Sequence, residues 1–428
     1  MENRNIIRIL SYGLLAILSY LKFYKKYNFG SLRWFTVACS QLLILFLSTS
    51  TCLNYLIFLK PVDPKTNTRS YLELILYATI YLQVQINFFL TMLKSPGIVP
   101  KSWKPEPENQ CKYNGEDLKK YLEYCQTCEG FKPPRSHHCK TLNKCVLKYD
   151  HYCPWVGTSI GHRNQTSFVR FLFWLVVGNA WTISIVIRAI NKHTGHSEFV
   201  LYKKYGENYR EMTDSALLFN MASVGMSAAA FTLVGMLFLS QLSMVLANKT
   251  SIEYLTCWTA GQIRDRNELP QEFKYPYSLG CRRNFETVFG SNLFSVFFRM
   301  KPFHTGFTNW EIVQGTTQYT LTVEKIFQKS YRINLAKPVT AVKSYNGSWY
   351  PFWSFGVVVG CFRVPKTCES RLKLTPGDKV VVSDDIYWGS RWWYGVKDVE
   401  RNGKFEKKGG WFPAKAVEVD RVILRKNE

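Results

Sequence analysis

Acid is scarce in this sequence. Among 428 residues, 31 Asp and Glu stand against 55 Lys and Arg, a net charge of +24. A nucleic-acid binder could share that imbalance, but charge of either sign is absent altogether from residues 34–59, 74–93, 171–187 and 215–248. Uncharged apolar runs of this length exclude an ordinary soluble nucleic-acid-binding protein. They point to a membrane protein with much of its polar mass on the cytoplasmic side. A span needs roughly 20 apolar residues to cross a hydrocarbon core about 30 Å thick. The third run is shorter, but Arg170 and Arg188 bracket it and can snorkel to the interfaces. In lipid all four must be helices, because nothing else there satisfies the backbone. A small-residue cleavage site is also missing after the uncharged segment 9–21, which argues against a removed signal peptide. That segment is too short to span comfortably and reads as an interfacial helix, with a fifth span or a signal anchor as alternatives.

An evenly spread disulfide framework is missing too. Of the 12 cysteines, Cys39 and Cys52 lie in an apolar run, while Cys111, Cys125, Cys128, Cys139, Cys145 and Cys153 share one polar loop. His137, His138 and His151 fall in the same loop. This grouping favours metal chemistry in a reducing compartment over disulfides. Cys125-x2-Cys128, followed by His138 and Cys145, supplies a Cys₃His set for one tetrahedral zinc ion; a cluster of free thiols is the plainer reading. A filled site would contribute on the order of 10 kcal/mol towards folding a loop with little core of its own.

Basic residues set the expected orientation. Residues 94–167 carry 12 Lys/Arg against 7 Asp/Glu, whereas 191–214 carry 4 against 4. The positive-inside rule then places the cysteine-rich loop and both termini in the cytosol. Asn164, Asn248 and Asn346 match the glycosylation pattern and should remain unmodified.

Within the loop stands Asp150-His151-Tyr152-Cys153-Pro154-Trp155. A thiol is mostly protonated at neutral pH, so a nucleophilic cysteine needs a base, and the base needs an orienting partner. His151 and Asp150 are of the right types, although spacing alone does not establish hydrogen-bond geometry.

Here the chain resembles the DHHC family of protein S-acyltransferases. The likeness rests on KPPRSHHC, the DH-x-CPW core and Asn164-x3-Phe168. It extends to Thr250-Ser251-Ile252-Glu253, similar to the family's TTxE motif, and to Asn284 in CRRNFETVFG. The resemblance implies ping-pong transfer of a long acyl chain from acyl-CoA to substrate cysteines. Cys153 would be the nucleophile, His151 the base and Asp150 its orienter. Supporting roles would fall to Ser251, which the motif brings near Asp150, and to Glu253, Asn284 and the interfacial Trp155. Arg135, Lys132, Lys140 and Arg163 are candidates for the CoA phosphates, against the plainer reading of a solvated basic loop. The family pattern also has a second zinc site. Leu142 and Ser159 stand where it has cysteines and Tyr152 where it has histidine, leaving Cys139 alone. That site is expected to be lost and filled by apolar packing.

Residues 337–420 carry short β-prone runs whose order resembles an SH3 barrel, through Leu374, Gly377-Asp378, Trp392-Trp393, Gly395 and Gly410–Pro413. Tyr345, Trp392 and Pro413 would remain of its ligand surface, but Lys343 and Ala416 replace two tyrosines, so ordinary proline-rich binding is not expected. The resemblance to SH3-tailed members implies an endoplasmic-reticulum enzyme that recruits selenoprotein K, with acylation at Cys361 and Cys368; buried structural thiols are the other reading of that pair. Arg425-Lys426 resembles a retrieval signal.

The expected fold class is an α-helical membrane protein: four transmembrane helices, a cytosolic zinc-binding loop and a C-terminal all-β SH3-like barrel. The expected segments are 1–94 (first two spans), 95–167 (catalytic loop), 168–248 (last two spans), 249–336 (juxtamembrane tail), 337–420 (SH3-like) and 421–428 (tail). A non-catalytic scaffold and a zinc-ring ubiquitin ligase are the rival readings. The intact Asp150, His151 and Cys153 oppose the first, and the shortage of paired ligands opposes the second.

Overall fold

The computed structural model describes residues 31–59, 64–105, 112–113, 116–117, 122–194, 212–267, 273–292, 296, 310–334, 336–348, 371–383, 392–401 and 404–419. The segment 9–21, Cys361, Cys368 and the basic tail lie outside these residues. The chain divides into two compact units. One comprises Met1–Leu255 with Lys274–Gln318, the other Thr256–Phe273 with Tyr319–Glu428.

The first unit is built on four long helices: α1 (Ser31–Leu53, continued by a π-helical turn Asn54–Leu59), α2 (Pro64–Leu93), α3 (Gln165–Thr194) and α4 (Asp214–Leu246). All four are long and apolar enough to cross a membrane, over Phe35–Leu59, Tyr71–Leu93, Gln165–Lys192 and Asp214–Leu246. The third runs past both arginines that bracket the uncharged stretch, and Arg188 meets Glu73 at 3.2 Å. Thr213 caps α4, its hydroxyl accepting from the Ala216 N–H at 3.3 Å, with Asp214 in the first turn where the helix dipole favours it. Apolar side chains gain nothing over lipid by meeting each other, so polar groups help to fix helix pairs. The hydroxyls of Thr51 and Thr182 lie 2.8 Å apart, and the Asn54 amide donates to Asn220 Oδ1 at 2.8 Å.

Between α2 and α3 the chain makes short hairpins: β1 (Lys112–Tyr113) with β2 (Glu116–Asp117), β3 (Tyr124–Cys125) with β4 (Gly130–Phe131), β5 (Ser136–Cys139) with β6 (Lys144–Leu147), and β7 (His151–Cys153) with β8 (Thr158–Ile160). The return into α3 depends on Gly161. A Cβ there would lie 2.6 Å from the Pro96 carbonyl oxygen and 2.7 Å from Val146 Cγ1, so only glycine fits. After α4 come α5 (Ser251–Asn267) and α6 (Cys281–Phe289).

In the second unit α7 (Thr320–Asn334) precedes β9 (Ala336–Ala341), β10 (Lys379–Ser383), β11 (Trp392–Arg401), β12 (Lys404–Pro413) and β13 (Val417–Val419). The strands form one antiparallel sheet in the order β12-β11-β10-β9-β13. Alternation along β10 is clear: Val380 and Val382 are buried while Val381 is 47% exposed. The sheet's core departs from the expected ligand surface. Tyr345 and Trp392 are each only 2% exposed and Pro413 is buried as well, so none of the three presents an open groove. Trp392 packs with Tyr345 edge-on at 6.0 Å and carries the Arg371 guanidinium over its ring at 4.7 Å. The aromatic payload is used for packing.

Candidate active site and metal centre

Two hairpins assemble the candidate metal ligands. The β3–β4 knuckle carries Cys125 and Cys128, and the β5–β6 pairing sets His138 opposite Cys145. Cys125 Sγ, Cys128 Sγ and Cys145 Sγ lie 3.4, 3.3 and 3.9 Å from His138 Nδ1, and all four donor atoms fall within 4.8 Å of one another. Zinc bonds of about 2.3 Å to sulfur and 2.0–2.1 Å to nitrogen, at tetrahedral angles, imply sulfur–nitrogen separations of roughly 3.6 Å. The donor set fits such an ion. Among the described residues it is the one such group. Cys139 belongs elsewhere: it packs with Val146, Tyr149, Leu142 and Tyr152, and Ser159 Oγ donates to its sulfur at 3.1 Å.

Asp150, His151 and Cys153 sit on or beside β7. His151 Nδ1 meets Asp150 Oδ2 at 2.8 Å, which leaves Nε2 as the nitrogen available to Cys153. The ring of Phe168 stands edge-on to the imidazole at 5.5 Å. Asp150 is 4% exposed and fully engaged. Its Oδ1 accepts from the Ser251 N–H at 2.6 Å and the Ser251 hydroxyl at 2.7 Å, and Oδ2 also accepts from Gln241 Nε2 at 3.0 Å. Burial alone would raise the Asp150 carboxyl, but the bonds from His151 and Ser251 outweigh it and hold it at about 2. Burial alone would lower His151; hydrogen bonding with Asp150 and Cys153 prevails and raises it to about 9. Cys153 itself is 5% exposed, in an apolar cluster with Val37, Val84, Phe88, Phe168 and Phe171, to which α1, α2 and α3 all contribute. Trp155, by contrast, is 57% exposed. The turn it occupies is tied to α1, where Thr36 donates to the Pro154 carbonyl at 2.8 Å and Ser40 to the Trp155 carbonyl at 3.1 Å.

Glu253 and Asn284 hold the surroundings. Thr250 and Glu253 form a capping box at the start of α5: the Thr250 N–H donates to Glu253 Oε2 at 2.9 Å and the Glu253 N–H to Thr250 Oγ1 at 3.3 Å. This box sets Ser251 against Asp150. Asn284 is fully buried; its amide donates to the Leu246 carbonyl at 2.7 Å, satisfying an orphan oxygen at the end of α4, while its Oδ1 accepts from Leu279 N–H at 2.8 Å. Asn164 and Asn248 are also buried, and their amides donate to backbone carbonyls.

Arg135 corrects an expectation. Its side chain is 0% exposed and cannot reach for a CoA phosphate. Nε and one terminal nitrogen grip the two Glu253 oxygens at 2.7 Å each, and further bonds reach Asn248 Oδ1 at 3.2 Å and the Asn248 carbonyl at 2.7 Å. The rings of Tyr277 and Trp310 lie 4.4 and 5.0 Å from the guanidinium carbon. Lys132 pairs with Glu123 at 3.2 Å, while Lys140 and Arg163 are exposed. Sequence reasoning missed Gln241 and Lys148. Gln241 is an amide inside a spanning run, a residue type that demands a partner there. Lys148 is 4% exposed, and burial together with Arg135 lowers its amine to about 7.

Comparison with known proteins gives the site its context. The DHHC palmitoyltransferase family pattern matches residues 118–257. Palmitoyltransferase ZDHHC6 of Danio rerio is 31% identical over 390 residues, covering 87% of each chain. The Homo sapiens protein of the same name is 30% identical over 392 residues, again 87% of each. Probable protein S-acyltransferase 16 of Arabidopsis thaliana is 28% identical over 226 residues, which is 51% of this chain and 73% of the relative. A cysteine held beside an aspartate-bound imidazole, against a bundle of spanning helices, therefore stands in a chain that belongs to the DHHC palmitoyltransferase family.

Proposed function

We propose that this membrane-bound protein S-palmitoyltransferase carries its acyl chain on Cys153. With His151 raised to about 9 by Asp150 and Cys153, the Cys153 proton rests on His151 Nε2 and the thiolate attacks the thioester carbonyl; the carbon–sulfur bond to CoA breaks, and the CoA thiolate takes the imidazolium proton as it leaves. A substrate cysteine then repeats the exchange, its sulfur displacing Cys153. Asp150 keeps the imidazole oriented and stabilises its charged form. The observation that carries this reading is the 2.8 Å contact between His151 Nδ1 and the fully engaged Asp150 carboxylate, one residue pair from a buried cysteine. The apolar cluster around Cys153 suits a long acyl chain, each methylene of which gains roughly 0.8 kcal/mol on burial. Cys125, Cys128, His138 and Cys145 would hold one zinc ion, which supplies folding energy to the loop and no step of the reaction. The second family metal site is lost, replaced by packing of Leu142 and Tyr152 on Cys139.

The finer context rests on resemblance. The loop carrying Cys153 faces the cytosol with both termini, in the endoplasmic-reticulum membrane. The C-terminal sheet recruits a partner resembling selenoprotein K through a face other than the closed aromatic groove, and Cys361 and Cys368 are acylation sites. A clickable palmitoyl-CoA incubated with purified protein tests the central step. Wild type should take up a hydroxylamine-sensitive label and Cys153→Ala none; equal labelling of the two would leave only an adaptor.

A further inference from the structure

A glutamine inside an apolar spanning helix needs a reason. Gln241 is 4% exposed and lies within the span Asp214–Leu246. Three and seven residues earlier on the same helix, Phe238 and Val234 pack against the apolar cluster that encloses Cys153. Gln241 thus continues, as an amide, the face of α4 that lines the nucleophile's surroundings. Its Nε2 donates at 3.0 Å to Asp150 Oδ2, the same oxygen that meets His151 Nδ1. Its own Oε1 accepts no hydrogen bond among the described residues. Turning the amide over would set that oxygen against a carboxylate, so the donor orientation is fixed. The other groups facing Asp150 are Ser251, through its N–H and hydroxyl, and His151; Lys148 acts on it electrostatically, and Arg135 and Glu253 act in turn on Lys148. Only Gln241 reaches Asp150 from a spanning helix among these partners.

We propose that Gln241 is a positioning residue for acyl transfer, holding the Asp150 oxygen that orients His151 and thereby tying the nucleophile's geometry to α4. The proposal rests on the roles assigned above to Cys153 and His151. A bare packing role would make any isosteric side chain acceptable; a donor role would not. Gln241→Glu separates the two, because a glutamic acid keeps the shape and can donate to Asp150 only while protonated. As pH rises it becomes a second carboxylate beside the first, which repels it and draws the His151 proton more tightly.

The test uses the full chain in detergent and follows the rate of Cys153 loading from palmitoyl-CoA between mildly acidic and mildly alkaline pH, with zinc per chain measured alongside. Gln241→Met should load roughly tenfold more slowly at saturating donor, with KM unchanged, the scale of one hydrogen bond to a charged group. Gln241→Glu should approach wild type on acidification and lose activity progressively as pH rises. Profiles that superimpose on wild type after scaling, or a Gln241→Glu enzyme that does not recover in acid, overturn the proposal. Cys153→Ala runs in parallel: a label persisting on that variant sinks the underlying assignment instead, whatever the Gln241 variants do.

Discussion

Removing the Arg135 side chain should be the most damaging single change away from the reacting groups. In Arg135→Met the Glu253 carboxylate, 3% exposed, loses both guanidinium bonds and keeps the Tyr275 hydroxyl at 2.8 Å and the Thr250 N–H at 2.9 Å. Breaking one side of a buried pair leaves an uncompensated charge and costs about 3–5 kcal/mol. That corresponds to roughly two to four orders of magnitude in the folding equilibrium, a large share of a domain's whole stability. Arg135→Lys should recover little of this. An ammonium cannot fork to two carboxylate oxygens and a carbonyl as the guanidinium does. The double variant Arg135→Met/Glu253→Gln removes both charges and should cost far less than the two single losses added together. The assay is the thermal transition of detergent-solubilised protein, read by zinc release to a colorimetric chelator. Acyl loading should fall in step, because Glu253 caps the turn that presents Ser251 to Asp150. An Arg135→Met protein that melts with wild type, or strict additivity in the double variant, would refute the buried-pair account.

The Asp150–His151 pair also predicts a pH window. The His151 imidazole is raised to about 9, above its unfolded value of about 6.5, so its contribution is complete below the unfolded value and fades as pH climbs through the folded one. Asp150 is depressed to about 2, so its contribution is present above roughly 4 and is lost as pH falls towards the folded value. Together they favour the fold most between roughly pH 4 and 6.5. His151→Gln should flatten the alkaline side of the melting-temperature profile, and an unchanged alkaline slope would count against the pairing. For the metal, mass spectrometry of the native protein should find one zinc per chain. Tyr152→His alone should leave that number unchanged, whereas adding Leu142→Cys and Ser159→Cys should raise it to two; a second zinc in the unmodified chain would contradict the packing seen around Cys139.

How much of this was readable beforehand depends on how far apart the partners lie. The spans were visible because charge is absent over whole helices, and the candidate metal ligands because two short hairpins suffice to bring them together. Asp150, His151 and Cys153 are close enough in the chain to suggest one another, and the family resemblance brought Ser251 to Asp150 across 101 residues, but Gln241, 91 residues from Asp150, was missed. Arg135 was misread for the same reason. A cation in a basic loop looks solvated until its acid, 118 residues on, is brought against it. A signal did exist on the other side of that pair. Thr250 and Glu253 have capping-box spacing, and an acid fixed at the start of a helix beside a basic loop calls for a cation. Tyr345 and Trp392 show the remaining ambiguity: aromatics at strand spacing state that a surface is apolar, but whether it becomes a groove or a core is decided by what the rest of the sheet folds onto it. Sequence announces which groups need a partner. In a bundle whose apolar faces are interchangeable with lipid, the partner is chosen by the few polar bonds that only one packing can make, and those bonds are where this enzyme's geometry is held.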